Sequence, residues 1–213
     1  MKLSSFFASL ACVAAASLAS ARPTAREACG EGGTIVNSTT IHHEGKEFAF
    51  TTKTCSNLEA SSNATVAKPV DDSDGAYCDS WSCSVNCVES AIAQPPSSSD
   101  CQYIENVLNS QPAGRVFTCL ASSVSLPSTP GTYFTAPSGT ISSFAYNTCA
   151  YAFVNRDTVI YNPCVNWLSH IGDFTFNYCF RGHPTGYYTA GYCARNDVQS
   201  YAEVYNPTSP GQS

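Results

Sequence analysis

The sequence is poor in charged residues, and the charge that it has is mostly acidic. Only 12% of the residues are charged, with 10 Lys and Arg against 16 Asp and Glu, so the formal net charge is −6. A protein that binds nucleic acid needs a face of clustered basic residues. The composition therefore excludes this class, and we predict no nucleic-acid partner.

Long apolar runs are missing after the first residues. Residues 1–21 combine a positive Lys2, an apolar core from Leu3 to Leu18 and an A-x-A site at Ala19-Ser20-Ala21, which is the pattern of a secretory signal peptide. No later run reaches the roughly 20 apolar residues of a transmembrane helix. We predict a secreted, extracellular protein that does not insert into membranes.

Metal-binding and catalytic motifs are also lacking. The spacing of Cys78, Cys83 and Cys87 differs from that of structural zinc sites, and the acidic run Asp71–Gly75 lacks the ligand spacing of a calcium loop. There is no G-x-S-x-G motif. No carboxylate pair stands out among the acids after residue 99, which are Asp100, Glu105, Asp157, Asp173, Asp197 and Glu203. We predict no metal, no cofactor and no catalytic residues, so the protein is not expected to be an enzyme.

Cysteine, in contrast, is abundant. Removal of the signal peptide takes away Cys12 and leaves eleven of the 12 cysteines, for which disulfides are the default in a secreted protein. Five lie early in the mature chain, and the odd thiol is expected among them: Cys29, Cys55, Cys78, Cys83 and Cys87. Six more are enough for three internal bridges among fifteen possible connectivities: Cys101, Cys119, Cys149, Cys164, Cys179 and Cys193.

A Pro/Ser-rich break at Gln94–Ser99 predicts a domain boundary. Before it, residues 22–93 form a β-rich, cysteine-containing region in which Thr34–Ile41 and Glu47–Lys53 predict a hairpin. A short helix is expected over Ser80–Ala93, with Cys83 and Cys87 bonded to different partners. Asn37 and Asn63 begin N-glycosylation sequons.

The region 94–213 is predicted to be a domain that folds alone. Its expected elements are a helix from Ser99 with Cys101, Ile104 and Leu108 buried, a strand over 115–120, one central strand over Ser142–Asn155, a helix from Asn162 that stops at Gly172, and a closing strand over 198–205. The predicted fold class is α+β, a small disulfide-stapled antiparallel sheet with packed helices, preceded by the β-rich N-terminal segment.

A candidate ligand site follows from the distribution of aromatic residues. Eleven of the 12 tyrosines come after the Pro/Ser break. The turn-rich loop from Arg181 to Tyr188 combines aromatic rings with hydrogen-bond donors, the mixture used to bind sugars. The predicted ligand-binding residues are Arg181, His183, Tyr187 and Tyr188.

Several short motifs carry a family resemblance. The order SSSDC before a helix, FAYNTCAYAF, NPCVNW and a late AGYC before a closing strand resembles the secreted mushroom glycan-binding protein family, an α/β sandwich that binds amino-sugar-containing glycans. It also resembles the killer-toxin-like, necrosis-inducing fungal effectors. The first resemblance implies a secreted fungal carbohydrate-binding protein with glycans or glycoproteins as partners. The second implies an effector or toxin that acts on host or competitor cells, and a secreted hydrolase is the third alternative.

Overall fold

The structure, a computed structural model, describes residues 29, 33–55, 58, 83–89, 94–110, 116–117, 133–183, 188–194 and 200–209. The strands in chain order are β1 (Thr34–His43), β2 (Lys46–Thr54), β3 (Ser84–Glu89), β4 (Val116–Phe117), β5 (Tyr133–Phe134), β6 (Thr140–Tyr146), β7 (Cys149–Asn155), β8 (Tyr188–Ala194) and β9 (Ser200–Tyr205). The helices of the described part are α1 (Ser98–Asn109) and α2 (Val165–Cys179).

Seven strands form one antiparallel sheet in the order β1-β2-β6-β7-β9-β8-β3. Strands β4 and β5 form a separate parallel pair. The helices α1 and α2 pack against each other and against the large sheet. The predicted α+β class, with a disulfide-stapled antiparallel sheet and packed helices, is confirmed.

The predicted N-terminal hairpin is present as β1 and β2. Its two-residue turn, Glu44-Gly45, has positive φ at both positions, the backbone that best matches the twist of paired strands. The hairpin is longer than predicted, because both histidines of the expected loop, His42 and His43, pair with β2. Of the two sequon asparagines, Asn37 lies in β1.

The predicted single strand over Ser142–Asn155 is wrong, because it is a hairpin of β6 and β7. The chain reverses at Asn147-Thr148, and Asn147 has a φ of 45°, which asparagine tolerates better than most residues. Alternation alone could not reveal this turn, since no glycine or proline marks it. Strand β7 is nevertheless the middle strand of the sheet, and all seven of its residues are buried.

The helix predicted to stop at Gly172 continues to Cys179 and begins at Val165 rather than at Asn162. A Cβ atom on Gly172 would lie 2.5 Å from a ring carbon of Tyr151 on β7. Glycine therefore stands here because helix and sheet approach each other closely, and it does not end the helix. The helical spacing of Cys164, Trp167, Leu168 and Ile171 predicts a buried face; Cys164, Trp167 and Leu168 are buried, whereas Ile171 is only partly buried. In α1 the predicted Cys101, Ile104 and Leu108 are also buried.

The segment predicted as a helix over Ser80–Ala93 contains strand β3, which pairs with β8. Its cysteines do bond to different partners, as predicted, but these partners lie about a hundred residues further on: Cys83–Cys193 and Cys87–Cys179. The expectation that the six later cysteines pair only among themselves is therefore wrong. Cys101–Cys149 is such a pair, Cys29–Cys55 joins two early cysteines, and Cys164 is also disulfide-bonded.

The two faces of the sheet have different cores. The face that carries α1 and α2 holds a large aromatic cluster, in which the rings of Phe50, Phe134 and Phe144 lie within 6 Å of one another. The opposite face holds a smaller cluster with Val154, Tyr192 and Tyr201. Both faces of the sheet are covered at β7, which explains why the side chains of this central strand are mostly apolar on both sides.

Several predictions concern residues outside the described part: the signal peptide, the Asp71–Gly75 run, Asn63, Cys78, Cys119 and Tyr187. The domain boundary after Ala93 stays a prediction, although strands from both sides of it share the sheet. Among the described residues, no helix has the length and apolar character needed to cross a membrane.

Candidate functional site

A cleft of about 750 Å³ opens where α1 begins and α2 ends. One wall comes from the segment before α1 and from its first turns, and the other from the last turns of α2 and the chain that follows it. The lining residues are Pro95, Pro96, Ser97, Ser98, Cys101, Gln102, Glu105, Asp173, Phe176, Asn177, Cys179, Phe180, Arg181, Gly182, His183 and Tyr188.

The α1 wall is fixed to the β6–β7 turn. The Asp100 carboxylate accepts hydrogen bonds from the Thr148 hydroxyl at 2.6 Å and from its backbone N–H at 3.2 Å. The Thr148 hydroxyl in turn accepts a bond from the backbone N–H of Ser97 at 3.0 Å. The Cys101–Cys149 disulfide lies beside these bonds. Asp100 therefore holds the start of α1 in place. Gln102 and Glu105, three residues apart on this helix, line the same wall of the cleft.

The α2 wall follows from helical periodicity. Asp173, Phe176, Asn177 and Phe180 are three or four residues apart, so they lie on one side of the helix and of its last turn. The Phe176 and Phe180 rings are 5.5 Å apart, with Phe176 buried and Phe180 partly exposed. The wall thus presents apolar rings beside an amide and a carboxylate.

The turn after α2 carries two of the predicted ligand-binding residues. Gly182 has a φ of 81°, and the N–H of His183 donates to the Phe180 carbonyl at 3.3 Å. The turn brings the His183 ring to 5.0 Å from that of Tyr188, edge to face. The Arg181 guanidinium donates to the Asn177 side chain at 3.1 Å. Arg181 and His183 are exposed, and Tyr188 is partly buried.

The two carboxyl groups of the cleft belong to different helices. Burial raises the pKa of the Glu105 carboxyl, the nearby Asp173 carboxylate raises it further, and His170 lowers it. A carboxyl whose pKa is raised by burial and by a second acid in a cleft is a feature of functional sites. Glu105 is thereby easier to protonate than an ordinary surface glutamate.

The structure brings three of the four predicted ligand-binding residues, Arg181, His183 and Tyr188, to one cleft, while Tyr187 lies outside the described residues. The sequence interpretation missed Glu105 and Asp173 as site residues, along with the paired phenylalanines. The sequence did contain a pattern that extends α2, because the helical spacing of apolar residues from Trp167 and Leu168 continues to Phe176. The interpretation of Gly172 as the end of the helix excluded these later residues.

Within the described ranges, no group of three or more His, Cys, Asp or Glu side chains is arranged to hold a metal ion. The chain matches no protein-family model, and comparison with curated proteins and with solved structures also gives no match. The function has to be argued from the cleft itself.

Proposed function

We propose that the protein is a secreted carbohydrate-binding protein and that the cleft between α1 and α2 is its glycan site. The observation that carries the proposal is the convergence of Arg181, His183 and Tyr188 with the rings of Phe176 and Phe180 in one open cleft. Sugars have apolar ring faces and polar edges, so a site for them needs aromatic surfaces next to hydrogen-bond donors and acceptors.

Each group has a role in this proposal. Tyr188 supplies the partly exposed ring on which a sugar face stacks. Arg181 and His183 donate hydrogen bonds to hydroxyl or carbonyl oxygens, and Asn177 and Gln102 can both donate and accept. The carboxylates of Glu105 and Asp173 accept bonds from sugar hydroxyl groups.

The disulfides support the same proposal. The disulfides of the described part, including two that join distant segments, suit an oxidising compartment. The signal-peptide pattern at the start of the sequence agrees with them, and extracellular glycans are then the accessible ligands.

A glycan array probed with the oxidised protein tests the proposal. We expect binding to a limited set of glycans, and weakening by about tenfold or more when Tyr188→Ala removes the stacking ring, on the scale of its buried area. Tyr188→Phe keeps the ring and should retain most of the affinity. His183→Ala should also weaken binding, whereas its matched control His42→Ala removes an exposed histidine on β1 that does not line the cleft.

Melting temperatures measured on the same samples separate loss of contact from loss of structure. If no glycan binds, or if Tyr188→Ala and His183→Ala bind as the wild type does while melting normally, the proposal is wrong.

Glycoside hydrolysis is a second candidate, favoured by the raised pKa of Glu105 beside Asp173. Hydrolysis of a glycosidic bond commonly uses one protonated and one ionised carboxyl group. Here Glu105 would protonate the leaving oxygen as the glycosidic bond breaks. The Asp173 carboxylate would either take a proton from the water that bonds to the anomeric carbon, or bond to that carbon itself and be released by water in a second step. Turnover of a polysaccharide by the wild type, abolished by Glu105→Gln with binding retained, would establish the enzyme. Glycan binding without turnover would exclude the hydrolase and support the carbohydrate-binding function.

A further inference from the structure

The outer face of α2 exposes two large aromatic side chains next to the cleft. Phe174 is 53% exposed and Tyr178 is 60% exposed. They are four residues apart and therefore lie on the same side of the helix, about 6 Å from each other along its axis. We call this pair the aromatic ridge. A single exposed apolar side chain is ordinary, but two neighbouring exposed rings form a small apolar patch, which is a more informative feature of a surface.

The ridge is continuous with the cleft. At about 100° per residue, Asn177 lies on the helix between the cleft-lining Asp173 and the ridge residues Phe174 and Tyr178. Arg181, in the turn after α2, reaches back to Asn177. The bond of 3.1 Å from Arg181 to Asn177 runs along this boundary. A ligand that leaves the cleft over these two polar side chains meets the rings of the ridge next.

The composition of this surface favours a glycan over a second protein. Two aromatic side chains bury at most about 300–500 Å² together, whereas a stable protein interface needs roughly 1,000 Å² or more. The ridge is also bordered by Asp173, Asn177 and Arg181, which are polar groups rather than further apolar surface. Isolated rings set among polar side chains suit a sugar chain, whose units present apolar faces at intervals.

We propose that the aromatic ridge is an extension of the glycan site, so that the protein's ligand is a polysaccharide chain longer than the cleft can hold. This inference rests on the proposed glycan-binding function. The cleft binds the first units, Asn177 and Arg181 contact the connecting stretch, and Phe174 and Tyr178 stack against the units beyond it. Affinity should then rise with chain length until the ridge is covered.

The test compares short and long glycans on ridge and cleft variants. The probes are disaccharides and octasaccharides derived from cellulose, from β-1,3-glucan and from chitin, together with the best glycan of the array in the same two lengths. For the wild type we expect the octasaccharide to bind more tightly than the disaccharide. Phe174→Ala/Tyr178→Ala should weaken octasaccharide binding by about tenfold and leave disaccharide binding within about twofold of the wild-type value.

Three controls accompany this variant. Phe174→Tyr/Tyr178→Phe keeps both rings and should bind the octasaccharide as the wild type does. Ile160→Ala removes another exposed apolar side chain, 43% exposed and outside the cleft lining, and should change nothing. Tyr188→Ala should weaken both lengths, because it removes a contact within the cleft.

Each result has a defined meaning. If the ridge variant binds the octasaccharide normally, or loses both lengths equally, the ridge is not an extension of the site, while the cleft proposal stands. If the wild type forms a dimer that Phe174→Ala/Tyr178→Ala converts to a monomer, the ridge is a contact between copies and the inference is wrong. If the wild type binds no glycan at all, the proposed function fails and the ridge inference fails with it.

Discussion

The two flanks of the large sheet are held in different ways. The hairpin flank consists of β1 and β2 beside β6, and the cross-linked flank consists of β3 beside β8. In the hairpin flank β1 and β2 are consecutive in the chain. Strand β2 pairs with the distant β6, where Thr52 and Ser142 are 90 residues apart, and it buries Phe48 and Phe50, each 1% exposed. In the cross-linked flank, β3 has no fully buried residue, and two disulfides join its segment to Cys179 and Cys193.

This difference separates two ways of adding a strand to a sheet. Strand β2 also reaches its partner β6 across a long stretch of chain, but its buried rings stabilise that pairing. The tight turn then adds β1 at little cost, since closing a short loop loses little entropy. A strand recruited from about a hundred residues away, with only partly buried side chains, gains less from burial. Covalent cross-links reduce the entropy of the unfolded chain and compensate for that shortfall.

The largest expected effect comes from removing both flanks. The sequence predicts that residues 94–213 fold alone, but in the structure this fragment lacks β1, β2 and β3, and its Cys179 and Cys193 lose their partners. We therefore expect the fragment, expressed in an oxidising compartment, to aggregate or to melt without a cooperative transition. Calorimetry of the fragment beside the mature chain measures this. A cooperative transition of the fragment would show that the flanks are additions to an independent domain.

The next effect is that of the long-range disulfides. Changing Cys83, Cys87, Cys179 and Cys193 to Ala removes two bridges. It should lower the free energy of unfolding by more than the about 4–5 kcal/mol that the chain-entropy model gives for a single loop of this length. That loss approaches the whole stability of a marginal domain, about 5–15 kcal/mol. Urea denaturation of the oxidised proteins measures it.

The matched control removes the disulfide of the hairpin flank. Its cysteines are 26 residues apart, so Cys29→Ala/Cys55→Ala should cost about 3–4 kcal/mol. Equal losses in the two variants would contradict the distinction between the flanks.

Truncating apolar side chains should affect the flanks in the opposite order. Phe50→Ala in β2 should cost about 3–5 kcal/mol, because its buried ring packs against Phe134 and Phe144. Val88→Ala in β3 removes fewer atoms from a partly buried position and should cost less than about 1.5 kcal/mol. Thermal unfolding of both variants with all disulfides intact compares them. A larger loss for Val88→Ala would show that β3 depends on burial after all.

Glycines give a smaller contrast. A Cβ at Gly191 in β8 would lie 2.8 Å from the Cys179 sulfur and 2.9 Å from Thr175, so Gly191→Ala should cost about 1–3 kcal/mol by overpacking. Gly45 in the hairpin turn has open space around it but a φ of 76°, and Gly45→Ala should cost about 1–2 kcal/mol through backbone strain. A separate Gly45→Asn variant distinguishes backbone strain from overpacking. Asparagine tolerates this φ, so this variant should be less destabilised than Gly45→Ala.

The smallest effect involves neither flank. The pKa of Glu105 is higher in the folded state than its ordinary value of 4.5, so protonation of Glu105 stabilises the fold. This contribution to the free energy of unfolding is complete below pH 4.5 and is lost as the pH rises through the folded-state pKa. Glu105→Gln should therefore melt slightly above the wild type at neutral pH and show no such advantage at pH values below 4.5. Glu47→Gln, at an exposed position in β2, is the control. A constant difference at all pH values would mean that Glu105 acts through packing rather than through its charge.

The flanks also differ in how far the sequence predicts them. The hairpin could be predicted because the alternation of Phe48 and Phe50 and the Glu44-Gly45 turn are local signals. Strand β3 was mistaken for a helix because its partners, β8 and two cysteines, lie about a hundred residues away. Gly172 illustrates the same limit. A glycine is needed there because the distant Tyr151 ring packs against the helix, and not because the helix ends.

The candidate site divides in a similar way. Arg181, His183 and Tyr188 lie within eight residues, and their local composition was enough to predict them as a group. Glu105 and Asp173 come from different helices, so their proximity depends on how α1 packs against α2. Nothing in the local sequence of either residue encodes that distance.

The separation of the paired cysteines also has a consequence for biosynthesis. Cys83 and Cys87 precede their partners by 110 and 92 residues. At about 5–20 residues per second, the ribosome delivers the partners roughly 5–20 seconds later. During that interval the β1–β2 turn and the Cys29–Cys55 bridge need only residues that are already synthesised, although β2 still lacks its partner β6. The thiols of the β3 segment have no correct partner yet and are open to incorrect pairing. The cross-linked flank can therefore be completed only after Cys179 and Cys193 have been synthesised.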